Sequence, residues 1–166
     1  MPYPPSEDSY LTLESIKSLD GSDLCVDVGT GSCILARELA RKCRRVVAID
    51  VDIDACRSCP EDVDVLCSDG AAPLRRADAV ISNLPYLPPE EPLDTTVHDL
   101  GLVSKLLRWI SAERPRVVVL TFSTLGRHDY IIEALEAFCA VVRVAKLHLF
   151  FESIITVTAL CAQPRR

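Results

Sequence analysis

Leu24 to Val28 is an apolar run that passes without interruption into Gly29-Thr30-Gly31-Ser32-Cys33. A helical pattern follows from about Ile34 to Cys43, with Leu35, Leu39 and Cys43 on its inner face. A strand, a glycine-rich turn and a helix in that order form the nucleotide-binding opening of a doubly wound α/β fold. Gly29 and Gly31 allow the backbone to approach a ligand closely and tolerate positive φ. Little else that a chain can fold into begins this way.

The remaining pattern repeats the alternation. Val46–Asp50, Val63–Cys67, Ala77–Ile81 and Arg116–Phe122 read as strands, as do residues 141–150 and Ser153–Cys161. Helical spacing marks Tyr10–Ile16, a short segment ending at Cys59 before Pro60, Asp99–Ala112 and Arg127–Cys139. The last two strands are separated only by Phe151-Glu152, a link so short that they must pair antiparallel. The expectation is an α/β fold with seven strands, mostly parallel, ending in an antiparallel hairpin, with helices on both faces. A chain of 166 residues suits one domain spanning 1–166, an N-terminal segment 1–20 preceding the core 21–166.

Hydrophobic residues make up 49% and charged residues 25%, as in a globular, soluble chain. No apolar run approaches the roughly 20 residues of a membrane helix. The opening Met1-Pro2-Tyr3-Pro4-Pro5 has no basic region followed by an apolar one, so the expected location is cytoplasmic. The net charge of −6 and the scattered basic pairs, Arg44-Arg45 and Arg75-Arg76 among them, make a nucleic-acid partner the less favoured one. Of eight cysteines, Cys56 and Cys59 form a Cys-x-x-Cys, but there is no second such pair and no His at zinc spacing, so no metal site is expected. Cys25, Cys67 and Cys161 lie in strand-like runs, where Cys acts as a small hydrophobe. Disulfides do occur inside cells of hyperthermophiles, and their connectivity is not legible from sequence.

Candidate site residues gather at strand ends. Asp50 closes the second strand about 20 residues after the glycines, where a carboxylate takes both hydroxyls of a ribose. Asp52 and Asp54 read as helix-capping acids. Asp69 suits either an adenine amino group or a plain turn before Gly70. Glu7 and Asp8 suit either the start of a helix, as acids complementing its dipole, or a lid over a cofactor. After the fourth strand comes Asn83-Leu84-Pro85-Tyr86, opening an irregular stretch to His98 that contains Pro88, Pro89 and Pro92. Asn83 offers a carbonyl acceptor and an NH2 donor. Pro85 stiffens the backbone, and Tyr86 presents a flat ring for a planar group. This set suits a planar amide or an exocyclic amine.

Asp27-Val-Gly-Thr-Gly-Ser-Cys33, Asp50 and Asn83-Leu-Pro-Tyr86 resemble class I S-adenosylmethionine-dependent methyltransferases that methylate nitrogen. Pro5-Ser-Glu7-Asp8-Ser-Tyr10-Leu11 resembles the opening of the archaeal and eukaryotic release factor glutamine methyltransferases, relatives of the bacterial HemK proteins. The resemblance spans nearly the whole chain and implies a Rossmann-like core. It implies that Asp27, Gly29, Thr30 and Gly31 form the cofactor turn, that Asp50 holds the ribose and Asp69 the adenine, and that Asn83 borders both cofactor and substrate. It further implies that Asn83, with a carbonyl of Leu84 or Pro85, fixes the acceptor amide while Tyr86 packs on it. The implied cofactor is S-adenosyl-L-methionine, leaving as S-adenosyl-L-homocysteine. The implied substrate is the Gln of the Gly-Gly-Gln motif in a peptide chain release factor, and the implied partner a small zinc-binding activator that covers apolar surface along a sheet edge.

Three departures stand out. Leu84 replaces the first proline of Asn-Pro-Pro-Tyr, and Asn-Leu-Pro-Tyr also occurs in rRNA adenine dimethyltransferases. Cys33 stands where glycine is common. Asp99-Leu-Gly101 replaces Gly-Gly-x-Asp-Gly. Two further readings therefore accompany the first: an adenine-N6 methyltransferase acting on RNA or DNA, and a catalytically silent subunit of the same fold.

Overall fold

The computed structural model describes residues 6–87 and 98–162. Seven strands form one sheet in the order β3-β2-β1-β4-β5-β7-β6. They are β1 (Ser22–Val28), β2 (Cys43–Asp50), β3 (Asp64–Cys67), β4 (Ala79–Asn83), β5 (Val117–Ser123), β6 (Cys139–His148) and β7 (Ser153–Cys161). The first five run parallel. β7 pairs antiparallel with both β5 and β6, and the four-residue link between β6 and β7 requires the second of these pairings. This is the Rossmann-like arrangement expected from the alternation.

Period-two alternation sends side chains to two cores. On one face Val26, Val28, Val80, Val118 and Leu120 meet α4 (Leu102–Glu113) and α5 (His128–Glu136). On the other, Cys25, Ala48, Ile81 and Val119 meet α1 (Glu7–Lys17) and α2 (Ile34–Leu39). A short helix, α3 (Ile53–Ser58), packs beside β2 and β3. β5 is buried along its whole length, which explains its run of Val117-Val118-Val119-Leu120. Trp109 packs as expected and donates its indole N–H to Leu74 O at 2.8 Å. Hydroxyls stitch α1 to the sheet: Thr121 Oγ1 lies 2.6 Å from Thr12 Oγ1 and 2.7 Å from Thr156 Oγ1.

Several boundaries differ from the sequence reading. The second helix stops at Leu39, and Cys43 begins β2 instead of closing the helix's inner face. β4 covers 79–83 rather than 77–81, carrying Asn83 into the strand itself. The fourth helix starts at Leu102 with Gly101 as its N-cap residue, and Asp99, two residues before the cap, serves its first turn: Asp99 Oδ1 accepts from Gly101 N at 2.9 Å and Val103 N at 3.3 Å.

The cysteines require a correction. Cys25–Cys43, Cys33–Cys59 and Cys139–Cys161 are disulfides. Cys25 and Cys161 are buried, as small hydrophobes are, but each is bridged to a neighbouring strand. Cys67 is exposed, not packed. Among the described residues no helix is long and apolar enough to cross a membrane.

Candidate active site

The strand order reverses between β1 and β4, whose outward helices cover opposite faces. A crevice opens at the carboxyl ends of strands at such a switch point. Here it is a cavity of about 250 Å³ lined by Gly29, Thr30, Gly31, Asp50, Asp69, Asn83, Leu84, Pro85 and Tyr86, among others. The sequence reading thus placed nine residues from four separate stretches around one cavity. Asp8 also lines it, whereas Glu7 does not.

The glycine turn folds back over β2. Gly29 N and Thr30 N both donate to Ile49 O, at 2.8 and 3.0 Å. Gly29, Gly31 and Cys33 all take positive φ, at 75°, 52° and 62°. Cys33 thus holds the left-handed conformation that glycine would adopt more cheaply, and its disulfide to Cys59 ties the turn to the end of α3. The departure from glycine keeps the turn's backbone geometry.

Asp27 lies beneath the turn, fully buried, and does not line the cavity. Its Oδ2 accepts from the Thr30 hydroxyl at 2.7 Å, while Oδ1 has no partner among the described residues. Burial pushes its carboxyl up to about 7, against the opposing effects of the Thr30 hydroxyl and of the nearby Ala36 N–H, whose approach to the carboxylate falls outside ordinary hydrogen-bond geometry.

Asp50 is half-buried at the end of β2. Its Oδ2 accepts from Gly31 N at 2.9 Å, and its Oδ1 accepts from Asp52 N at 2.9 Å. One lone pair on each oxygen is thereby used to fix the carboxylate, and the second on each remains to accept from a vicinal diol. Asp52 caps α3, accepting from Asp54 N at 2.9 Å, as expected of it. Asp69 pairs with the Lys105 ammonium of α4 through Oδ2. The site therefore fits a nucleoside-type ligand: a close backbone passage at Gly29–Gly31, a preset diol acceptor, and apolar walls at Val28, Ile49, Leu100 and Leu102.

Across the cavity, Leu84 answers its own departure from proline. Its side chain is 2% exposed in the core, and its N–H donates to Thr121 O at 2.9 Å, a bond proline cannot make. Ser82 Oγ donates to Val28 O at 2.6 Å and locks β4 to β1 just below the site. Asn83 Oδ1 is buried with no hydrogen-bond partner among the described residues. Such an acceptor costs about 1–3 kcal/mol unless something donates to it. Tyr86 follows, backed by Gly126 of the β5–α5 connection. A Cβ at Gly126 would lie 2.4 Å from Tyr86 O.

Some lining residues escaped the sequence reading. Ser9 lies on α1, Ser68 beyond β3, and His98, Leu100 and Leu102 on the far side of the proline-rich stretch. Leu87 bridges to His98, and Asp99 N donates to Leu87 O at 2.8 Å, so the chain returns to the cavity where it left. The prolines at 88, 89 and 92 lie outside the described residues, as does Pro5. No signal short of the fold would have found His98. Leu102 had one, as the first apolar residue after Asp99 and Gly101.

No family model matches the chain, and no curated protein matches it in sequence. Solved structures do match in fold. A chain of the E. cuniculi Mtq2–Trm112 complex, responsible for methylation of the translation termination factor eRF1, superposes with a TM-score of 0.76 at 20% identity, covering 96% of this chain and 98% of that one. The ribosomal protein L11 methylase of Lactobacillus delbrueckii subsp. bulgaricus gives 0.71 at 16% identity, over 95% and 80% of the two chains. The N-methyltransferase NodS of Bradyrhizobium japonicum, in complex with S-adenosyl-L-homocysteine, gives 0.72 at 13% identity, over 95% and 89%. The fold is that of these methyltransferases.

Proposed function

We propose that this chain is an S-adenosylmethionine-dependent N-methyltransferase, and that its acceptor is the glutamine side chain of the Gly-Gly-Gln motif in a peptide chain release factor. The observation that carries the reading is the buried, unpartnered Asn83 Oδ1 on the wall facing the glycine turn and Asp50. An NH2 group is the natural complement to that atom. The E. cuniculi complex, similar over nearly the whole of this chain, is responsible for methylation of eRF1, which supports the protein acceptor.

The cofactor, when bound, supplies a methyl activated by its sulfonium. Gly29, Thr30 and Gly31 would pass beneath it, Asp50 would hold its ribose hydroxyls, and Asp69 would face its adenine. Asp27 would act from below by fixing Thr30. Asp8 is 5% exposed, and Ser6 Oγ and Ser9 N each donate to its Oδ1 at 2.6 Å. That buried carboxylate on the cavity wall suits a cationic ligand group better than a mobile lid.

An amide nitrogen is a poor nucleophile because its lone pair is delocalised. Asn83 Oδ1 would accept one amide N–H, and the carbonyl of Leu84 or Pro85 the other, turning the nitrogen toward the glycine turn. Tyr86 would pack on the amide plane. Holding two reactants in attack geometry supplies about 7–11 kcal/mol of barrier reduction. The N–H acidifies as the methyl arrives, so water takes the proton and no strong base is needed.

We further propose a small zinc-binding partner at a sheet edge, by analogy with the Mtq2–Trm112 pair. Exposed apolar side chains sit at both edges: Val65 on β3, and Val142 and Val144 on β6. The test is transfer of radiolabelled methyl from S-adenosylmethionine to a recombinant release factor, with and without such a partner. A control factor carries Ala in place of the Gly-Gly-Gln glutamine. Label on the intact factor alone supports the reading. Label on RNA instead would select the adenine reading, and failure of cofactor binding would select the silent subunit.

A further inference from the structure

Six of the eight cysteines are bridged, leaving Cys56 and Cys67. They come from different elements, Cys56 from α3 and Cys67 from the end of β3. α3 packs against both β2 and β3, which brings the two thiols to one corner, close enough to influence each other. They also address consecutive carbonyls of the Asp50 corner: Cys56 Sγ donates to Asp50 O at 3.5 Å and Cys67 Sγ to Val51 O at 3.8 Å. Cys67 is the β-ladder partner of Asp50 itself. No third His, Cys, Asp or Glu gathers with them among the described residues.

We propose that Cys56 and Cys67 are a reversible dithiol–disulfide couple set directly behind the Asp50 wall of the cavity. Exposure divides the roles. Cys67 is exposed and Cys56 buried, so Cys67 meets the oxidant and Cys56 resolves. With a small-molecule disulfide as oxidant, the Cys67 thiolate attacks one of its sulfurs, forming a mixed disulfide and releasing one thiolate. The Cys56 thiol then loses its proton and attacks the Cys67 sulfur, releasing the second thiolate. Two protein thiols are oxidised by two electrons, and one external disulfide is reduced to two thiols. Burial first, and the Cys67 contact after it, hold the Cys56 thiol up at about 11, so the exposed Cys67 is the thiol that reacts first.

The consequence is local. Ala55, next to Cys56, and Asp50, Val51 and Asp52 line the cavity, as do Ser68, Asp69 and Gly70 directly after Cys67, and Ser68 N donates to Asp50 O at 2.8 Å where the two segments adjoin. Oxidation replaces two weak S–H···O contacts with a covalent tie between these two adjoining segments. Cys59, three residues after Cys56, is already engaged with Cys33 and takes no part.

The test needs no ligand and no methyl transfer, so it stands apart from the enzymatic reading. The full chain is incubated with oxidised glutathione, quenched with acid and alkylating agent, and mapped by mass spectrometry without reduction. The expected product has lost two hydrogens and yields a Cys56–Cys67 cross-linked peptide, which dithiothreitol at low concentration reverses before the three other bridges open. Cys56→Ser should instead accumulate one glutathione on Cys67, and Cys67→Ser should accumulate none on Cys56. Persistent glutathione on Cys67 in the unaltered chain, or a Cys56–Cys59 bridge with Cys33 freed, would overturn the proposal.

Discussion

At Asn83 and Gly126 single atoms decide the site. Asn83→Ala removes the buried acceptor without touching the glycine turn or Asp50. Turnover should fall below detection, while cofactor affinity by calorimetry changes by no more than about twofold. Full activity in that variant would remove Asn83 from the mechanism. Gly126 acts through space rather than chemistry. Its backbone is not in the positive-φ region, yet a methyl there would lie 2.4 Å from Tyr86 O and 3.0 Å from Tyr86 Cβ. Gly126→Ala must therefore push the Asn83–Tyr86 segment outward. A displacement of 1 Å at a reacting centre costs on the order of 100-fold in rate. We expect kcat to drop by about that factor with cofactor affinity retained, and an unchanged kcat would show that Tyr86 does not position the acceptor.

Among the elements, the cofactor half was the most legible. The β1–turn–α2 unit announces itself because glycines, an apolar strand and a helical period must coincide, and Asp50 follows from strand length. The β6–β7 hairpin was legible because two strands with so short a link have one way to pair. Legibility failed where a side chain, not a period, sets the boundary. Asp99 serves the first turn of α4, which starts at Leu102, from two residues before the cap, and a disulfide, not helix continuation, claimed Cys43. Connectivity of the cysteines is a tertiary fact: Cys33 and Cys59 meet only because α3 packs beside the turn. That bridge separates residues by 26 positions. Closing such a loop in the unfolded chain is worth about 3.5 kcal/mol by chain entropy. Replacing both with Ser should lower stability in urea by about that amount. The cofactor Kd should also rise, because the left-handed turn at Cys33 loses its tether. An unchanged Kd would mean that the Ile49 carbonyl, with its two N–H donors, holds the turn unaided.

Across the whole molecule, one buried carboxyl should make global stability depend on pH. Asp27 is raised from 3.8 to about 7 in the fold, chiefly by desolvation. Between those values the folded chain keeps a proton that the unfolded chain has released, so its contribution is full below pH 4 and is lost as pH rises toward 7. About three pH units at 1.36 kcal/mol each put the effect at about 4 kcal/mol. The same site resists simple repair, since Thr30 donates to Oδ2 and stabilises the ionised form against burial. Asn at this position keeps a carbonyl for Thr30 but cannot titrate. Urea midpoints of the Asp27→Asn variant should then vary less between pH 4.5 and 7.5 than those of the unaltered chain, with the variant the more stable at the upper end. Equal slopes would mean that Asp27 is ionised in the fold across this range, with Oδ1 satisfied by a donor that enters beneath the cofactor turn.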